Sequence, residues 1–246
     1  MAQIVLVILL ISNSLIMAHD FHSFAKPKDC LLTHAKFDLD IDFNTQVISG
    51  KAHLTLKKMK DADEVFLDTK HLEIISVKDI SGNILKFELL EEIDFLGQAL
   101  RIELPKNTNE ISIEYKTTKN SSALQWLNPE QTQGKQQPFL FTQGQAILSR
   151  TWLPVQDSPG IRFTWEANIS CDKNLLPVMS GINPQSKNET GVYHFEMKQA
   201  VPAYLIALAV GNLEFKSLGL KTGVYSEPEM LEKSAYEFSD MEAMLQ

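Results

Sequence analysis

The side chains able to do chemistry in this chain are few and scattered. Its histidines are His19, His22, His34, His53, His71 and His194, and no two of them stand in an HExxH pair. Neither a GxSxG nucleophile turn nor a phosphate-binding glycine loop is present. Asp38, Asp40 and Asp42 alternate in KFDLDIDF, which resembles the opening of a calcium loop. A loop begun at Asp38 needs Gly at its sixth place and Glu at its twelfth, and this one holds Phe43 and Ser49. Alternation with Phe37, Leu39, Ile41 and Phe43 makes the aspartates the wet face of a strand. His53 and His194 fall on polar faces of alternating stretches, and His19 and His22 flank a change from apolar to charged sequence. Cys30 and Cys171, the only cysteines, make no metal-spaced pair. They could bond in an oxidising compartment, but Cys171 ends a strand on its apolar side and reads as a buried free thiol. Asn120, Asn168 and Asn188 stand in N-x-S/T triplets, which matter only in a glycosylating pathway.

One stretch is unlike the rest: QGQAILSRTWLPVQDSP, residues 143–159. Gln143, Gly144, Gln145 and Ala146 offer amides and small side chains, and Arg150, Trp152 and a Pro154–Asp157–Pro159 turn follow. None is a nucleophile or metal ligand. Side-chain amides there can both donate and accept hydrogen bonds. The plainer reading is that Gln143 and Gln145 satisfy backbone groups at a turn.

The elements that must position this stretch are short strands. Asn44–Gln46 turns KFDLDIDF into Val47–Lys57, predicting a hairpin with Ala52, Leu54 and Leu56 inward. Ile84–Leu90, Ala99–Leu104 and Ile111–Tyr115 are further strand candidates. In Ile161–Cys171, the residues Ile161, Phe163, Trp165, Ala167 and Ile169 point one way and polar residues the other. Tyr193, Phe195 and Met197 repeat the pattern. Val201–Val210 is apolar throughout, and Pro202 argues against a helix, so it reads as a strand buried on both faces. The fold class expected is mainly β, a saddle-like antiparallel sheet or sandwich. Thr222–Tyr225 reads as one further strand. Ser226 then caps a helix with Glu229 three residues on, and Leu231, Ala235, Phe238, Met241, Met244 and Leu245 form its apolar stripe.

With 246 residues, 44% hydrophobic and 22% charged, the composition is that of an ordinary folded chain. A net charge of −8 with no long Lys/Arg run argues against nucleic-acid binding and favours amine-bearing ligands over anions. Residues 1–18 hold no charged side chain and include the apolar run Ile4–Ile11. That run is short for a stable membrane span and matches a secretory signal cut after Ala18, implying a secreted or periplasmic protein, or a cytoplasmic one if this start is misassigned. The expected organisation is a leader over 1–18, a β domain over 19–217, and the start of a second domain over 218–246, whose apolar stripe runs to the last residue.

Ser121–Trp165 (SSALQWLNPEQTQGKQQPFLFTQGQAILSRTWLPVQDSPGIRFTW) is similar to the amino-terminal domain of the aminopeptidase N family of zinc metallopeptidases, above all its leukotriene-hydrolase branch. VPAYLIALAVGNLE and VYSEPEMLEKSAYEFSDMEAML resemble the same branch, at the end of the saddle and the start of the catalytic domain. The resemblance covers about residues 30–246 and implies a peptidase with epoxide-hydrolase activity in some members. It implies that the QxQA loop walls the active-site cleft, with Gln145 binding the amino terminus of the peptide substrate where most relatives carry glutamate. Gly144 and Ala146 form the backbone wall around it, and Gln143 is a further substrate-binding residue of the loop or only its brace. It also implies that the zinc ligands, the glutamate base and the GxMEN-type loop belong to a catalytic domain downstream of residue 246. Zinc would then be the cofactor of the complete enzyme, and none would be bound by this chain. Two readings stand: the amino-terminal part of a zinc aminopeptidase, whose partner is the missing catalytic domain, or a free-standing binding or structural β domain.

Overall fold

A computed structural model of the chain describes residues 20–59 and 62–245. The leader expected over residues 1–18, and His19, lie outside the described residues. Among the described residues no helix is long and apolar enough to cross a membrane.

Strands β1 (Cys30–Asp42) and β2 (Val47–Lys58) form the expected hairpin. Phe37, Leu39, Ile41, Ala52, Leu54 and Leu56 are all buried. The chain continues through β3 (Glu64–Thr69), β4 (Glu73–Asp79), β5 (Phe87–Leu89), β6 (Gln98–Glu103) and β7 (Glu110–Lys116). Next come β8 (Leu124–Leu127), β9 (Phe139–Thr142), β10 (Phe163–Ser170), β11 (Leu176–Met179), β12 (Val192–Val201) and β13 (Leu208–Gly211). A hairpin of β14 (Glu214–Ser217) and β15 (Gly223–Ser226) precedes helices α1 (Leu231–Glu237) and α2 (Met241–Met244).

The main sheet has the order β12-β10-β1-β2-β7-β4, beside a sheet β11-β13-β9-β8 and a sheet β3-β6-β5. The mainly β, largely antiparallel architecture is the expected one. A single pairing, β1 with β10, is parallel, from His34 opposite Thr164 to Asp40 opposite Ser170. These two strands are joined by about half of the chain and not by a tight turn, so no hairpin imposes an antiparallel sense.

One face of the main sheet is apolar: Ile111, Ile113 and Tyr115 of β7, Phe163, Trp165, Ala167 and Ile169 of β10, and Tyr193 and Phe195 of β12 are buried. The other face is polar and cross-linked. His53 Nε2 lies 3.1 Å from Asp38 Oδ2, Asn168 Nδ2 donates to Asp38 Oδ1 at 2.6 Å, and His194 Nδ1 sits 2.9 Å from Asn168 Oδ1. Thus one of the alternating aspartates joins His53 and His194 in a hydrogen-bonded row across four strands.

Four expectations are corrected. Val201–Val210 is not one strand: a 3-10 turn over Ala203–Leu205 splits β12 from β13. Leu205 and Ala207 are exposed, so the segment is not buried on both faces. Pro202 lacks an N–H for the ladder, and its carbonyl instead accepts from Leu205 N at 3.1 Å. Ile84–Leu90 contracts to β5, and Ile84 is 79% exposed. Cys171 lies just past β10 and is half-buried, while Cys30 is buried, and both are free thiols. The expected single helix is two short ones, and Ser226 does not cap it. The backbone of Ser226 is paired with Glu214 in the hairpin, so Glu227 takes the place before the 3-10 turn Pro228–Met230. Of the apolar stripe, Ala235 is buried and Phe238, Met241, Met244 and Leu245 are exposed. Strands β3, β4, β8, β9, β11 and β14 stand where the residue pattern predicts none. In β3 Val65, Phe66, Leu67, Asp68 and Thr69 are all buried, so no alternation marks it.

Candidate substrate-binding loop

β9 delivers the chain to residue 143, where Gln143 N donates to Ala123 O at 2.9 Å. The Gln143 side chain folds back, its Oε1 accepting from Gln145 N at 3.0 Å. Gly144 O accepts from Leu148 N at 2.8 Å and closes the turn. The Gln145–Ala146 peptide is cis. Gly144 is buried while Gln143, Gln145 and Ala146 are exposed. A Cβ on Gly144 would stand 3.0 Å from both Ser149 Oγ and Tyr204 O, so the loop backbone rests directly on its neighbours. The side-chain amide of Gln145 makes no hydrogen bond among the described residues. The four expected site residues are therefore brought together with distinct parts: Gln143 braces, Gly144 seats, and Gln145 and Ala146 face outward.

Residues 149–158 are all buried. Ser149–Thr151 is a 3-10 turn, after which the chain runs between the main sheet and the β3 sheet. Gln156 spans the two: its Oε1 accepts from Leu32 N at 2.9 Å, and its Nε2 donates to Cys30 O at 2.9 Å and Phe66 O at 3.3 Å. Buried backbone must be paired somewhere, and one glutamine does this for two strands.

Arg150 has no exposed side-chain surface. Its Nε donates to Asp157 Oδ2 at 3.2 Å, Nη1 to Leu96 O at 2.9 Å, and Nη2 to His22 O at 2.8 Å and Asp157 O at 2.9 Å. Its Nη1 also lies 3.7 Å from Asp68 Oδ1. Asp68 in turn accepts from Ser23 Oγ at 2.6 Å, Phe24 N at 2.7 Å and Asp157 N at 2.8 Å. One guanidinium thus ties the residues after the loop to the segment 22–24, to β3 and to the turn at Leu96. Local residue patterning carries no sign of this cluster, because Asp68 sits in a strand without alternation and Arg150 in a stretch without a motif.

Burial pushes the Asp157 carboxyl up to about 6, against the pull of Arg150, and pushes Asp68 up as well. A carboxyl whose folded value lies above its unfolded one binds more protons when folded. Its contribution to stability is full below about pH 4 and is lost as pH rises through about 6. Carboxylates held low by hydrogen bonds, such as Asp79, Glu103 and Glu242, act in the opposite sense at lower pH. Thermal unfolding should therefore show stability rising from pH 7.5 to 5.5, by at most about 1.4 kcal/mol per pH unit for one proton. Asp157→Asn should flatten that rise, and an unchanged slope would sink the assignment. Among the described residues Ser149 Oγ is buried without a hydrogen-bond partner. Ser149→Ala should accordingly raise stability by about 1 kcal/mol, or roughly 2–4 °C in Tm; a lower Tm would show that the hydroxyl is satisfied.

Ala146 and Ile147 also wall a groove of about 880 Å³ whose other sides include Ala25, Pro27, Pro159 and Ile161. No group of three or more His, Cys, Asp or Glu side chains among the described residues could hold a metal ion. The donor set among the described residues therefore does not fit zinc.

Residues 32–205 match the family profile described as the peptidase M1 N-terminal domain. The chain belongs to the peptidase M1 family. This M1 chain is 38% identical over 237 residues to leukotriene A-4 hydrolase of Xenopus laevis, a match covering 92% of the chain and 39% of that relative. It is 37% identical over 209 residues to leucine aminopeptidase 2 of Yarrowia lipolytica, covering 84% and 32%. The M1 fold superposes on yeast LTA4 hydrolase in complex with bestatin with a TM-score of 0.85 at 33% identity, over 92% of this chain and 36% of that one. An M1 zinc metallopeptidase from Deinococcus radiodurans matches with a TM-score of 0.60 at 17% identity, a likeness of fold alone. The expected family and its leukotriene-hydrolase branch are thus both found, and the chain spans about a third to two fifths of these relatives' lengths.

Proposed function

We propose that this M1 domain contributes the amine-recognition wall of a zinc-dependent aminopeptidase. The observation that carries the reading is the Gln145 carboxamide, exposed and without a partner among the described residues, on a turn held by the Gln145 N–Gln143 Oε1 and Leu148 N–Gly144 O bonds. Its Oε1 accepts an N–H from the substrate's terminal ammonium. Ala146 beside it leaves room for the peptide backbone to approach, and Gly144 lets the loop sit low on Tyr204. Gln143 keeps the Gln145 amide turned inward, so the side chain and not the backbone faces the ligand.

In this reading the peptide's amino terminus is the partner and the bond-breaking groups, with zinc, are held outside the described residues. An epoxide-hydrolase activity would use the same cleft. Residues 1–18 would act as a leader that carries the protein out of the cytoplasm. Substitution of Gln145 in an enzyme joining this domain to a zinc-binding catalytic domain of the same branch tests the proposal. Unchanged peptidase kinetics with an intact fold would reduce the loop to a structural turn.

A further inference from the structure

We infer that Arg150, held between Asp157 and Asp68, is a positioning residue for the Gln143–Ala146 loop, acting on Gln145 through the turn at Leu148–Thr151. The inference deepens the amine-binding reading and rests on it for its functional meaning.

The loop has two anchors. At its start Gln143 N is bonded to Ala123 O, and at its end Leu148 N is bonded to Gly144 O. The second anchor is only as firm as the turn that carries Leu148. Leu148 O accepts from Thr151 N at 3.0 Å and from Thr151 Oγ1 at 2.8 Å. Thr151 Oγ1 accepts from Ala123 N at 3.1 Å, so both anchors meet at Ala123. Arg150 lies inside this turn. Its own N–H donates to Asp157 Oδ2 at 3.1 Å, and its carbonyl accepts from Lys70 N at 2.9 Å. Its guanidinium reaches two further segments through Leu96 O and His22 O, and holds Asp157 a second time. A planar fork with five N–H groups meets these acceptors at once, whereas an ammonium on a flexible stem meets fewer. The cluster therefore sets where the Leu148 end of the loop stands, and with it the direction of the Gln145 side chain. Loops that carry binding groups depend on such buried supports for their geometry.

The test is residue-resolved amide hydrogen exchange on this chain, with Leu148 reporting the loop and Leu54 and Ile113 reporting the core. Arg150→Lys keeps the charge and loses the fork. It should speed exchange at Leu148 by about tenfold or more beyond whatever change the core amides show. Asp157→Ala removes the acceptor of the Arg150 N–H and Nε and should loosen Leu148 in the same way. Asp157→Asn keeps an acceptor and should restore protection to near the starting value. If Leu148 changes only in step with Leu54 and Ile113, or if Asp157→Asn is as loose as Asp157→Ala, the cluster does not position the loop and the inference fails. Exchange reads the loop without any substrate. A negative result here leaves the amine-binding test on Gln145 standing, and a negative result there leaves this one standing.

Discussion

Replacing Arg150 with methionine is expected to lower the stability of this domain by about 3–5 kcal/mol at pH 7.5. Methionine is also long and unbranched, so the loss comes mainly from charge and hydrogen bonding and less from an empty volume. Arg150 is wholly buried, and removing it leaves Asp157 and Asp68, both nearly inaccessible to water, without a counter-charge. It also strips a donor from the carbonyls of Leu96, His22 and Asp157. An uncompensated buried charge costs several kcal/mol, whereas the intact pair contributes little beyond an apolar filling of the same shape. The deficit should shrink at pH 5, because both carboxyls are already pushed upward by burial and would take up protons once the guanidinium is gone. Urea unfolding of the two proteins at both pH values measures this. A loss below about 1 kcal/mol at pH 7.5 would mean that the cluster is hydrated and is not a structural anchor.

Gln145→Ala, in an enzyme that joins this domain to a catalytic domain of its branch, should lower aminopeptidase kcat/KM by roughly ten- to a hundredfold. A hydrogen bond to a charged partner is worth about 1.5–3 kcal/mol, and about 1.4 kcal/mol corresponds to each factor of ten. The Gln145 side chain is bonded to nothing else among the described residues, so its truncation should remove recognition with little effect on the fold. Gln145→Glu keeps an acceptor and adds a charge that favours an ammonium, so it should cost less. Gln143→Ala acts differently: it frees the Gln145 N–H that Gln143 Oε1 accepts, and a smaller loss through loop disorder is expected. Steady-state kinetics on an aminoacyl-arylamide, with Tm as the control for folding, separates the three. Equal kinetics for Gln145→Ala and the parent, at equal Tm, would remove the loop from the site.

The strands that were legible in the sequence are those with one wet face. In Lys36–Asp42 and Phe163–Ser170 the buried and accessible positions alternate as the residue types do, because a pleated strand turns successive side chains to opposite faces. The pairing of strands was less legible. The parallel contact of β1 with β10 and the insertion of β3 beside the 150–158 segment depend on residues far apart in the chain, which local patterning does not report. The broken strand at Val201–Val210 misled for a related reason: an apolar run reads the same whether it is laddered throughout or turned halfway.

At the candidate site, the sequence by itself determined the chemistry on offer. It placed two glutamines, a glycine and an alanine in one short stretch, and its resemblance to a known family gave Gln145 a role. It also determined the wet face of β1, where Asp38, Asp40 and Asp42 lack the glycine and glutamate of a calcium loop. Only the tertiary structure decided which glutamine is free and which is engaged. It also decided that Arg150 and Asp157, a few residues past the loop, are its support and not part of the exposed surface. The physical reason is that desolvation depends on what covers a residue. Arg150 is covered by Asp68 of β3, the carbonyl of His22 and the carbonyl of Leu96, three contributions from distant parts of the chain that become neighbours only when the sheets pack.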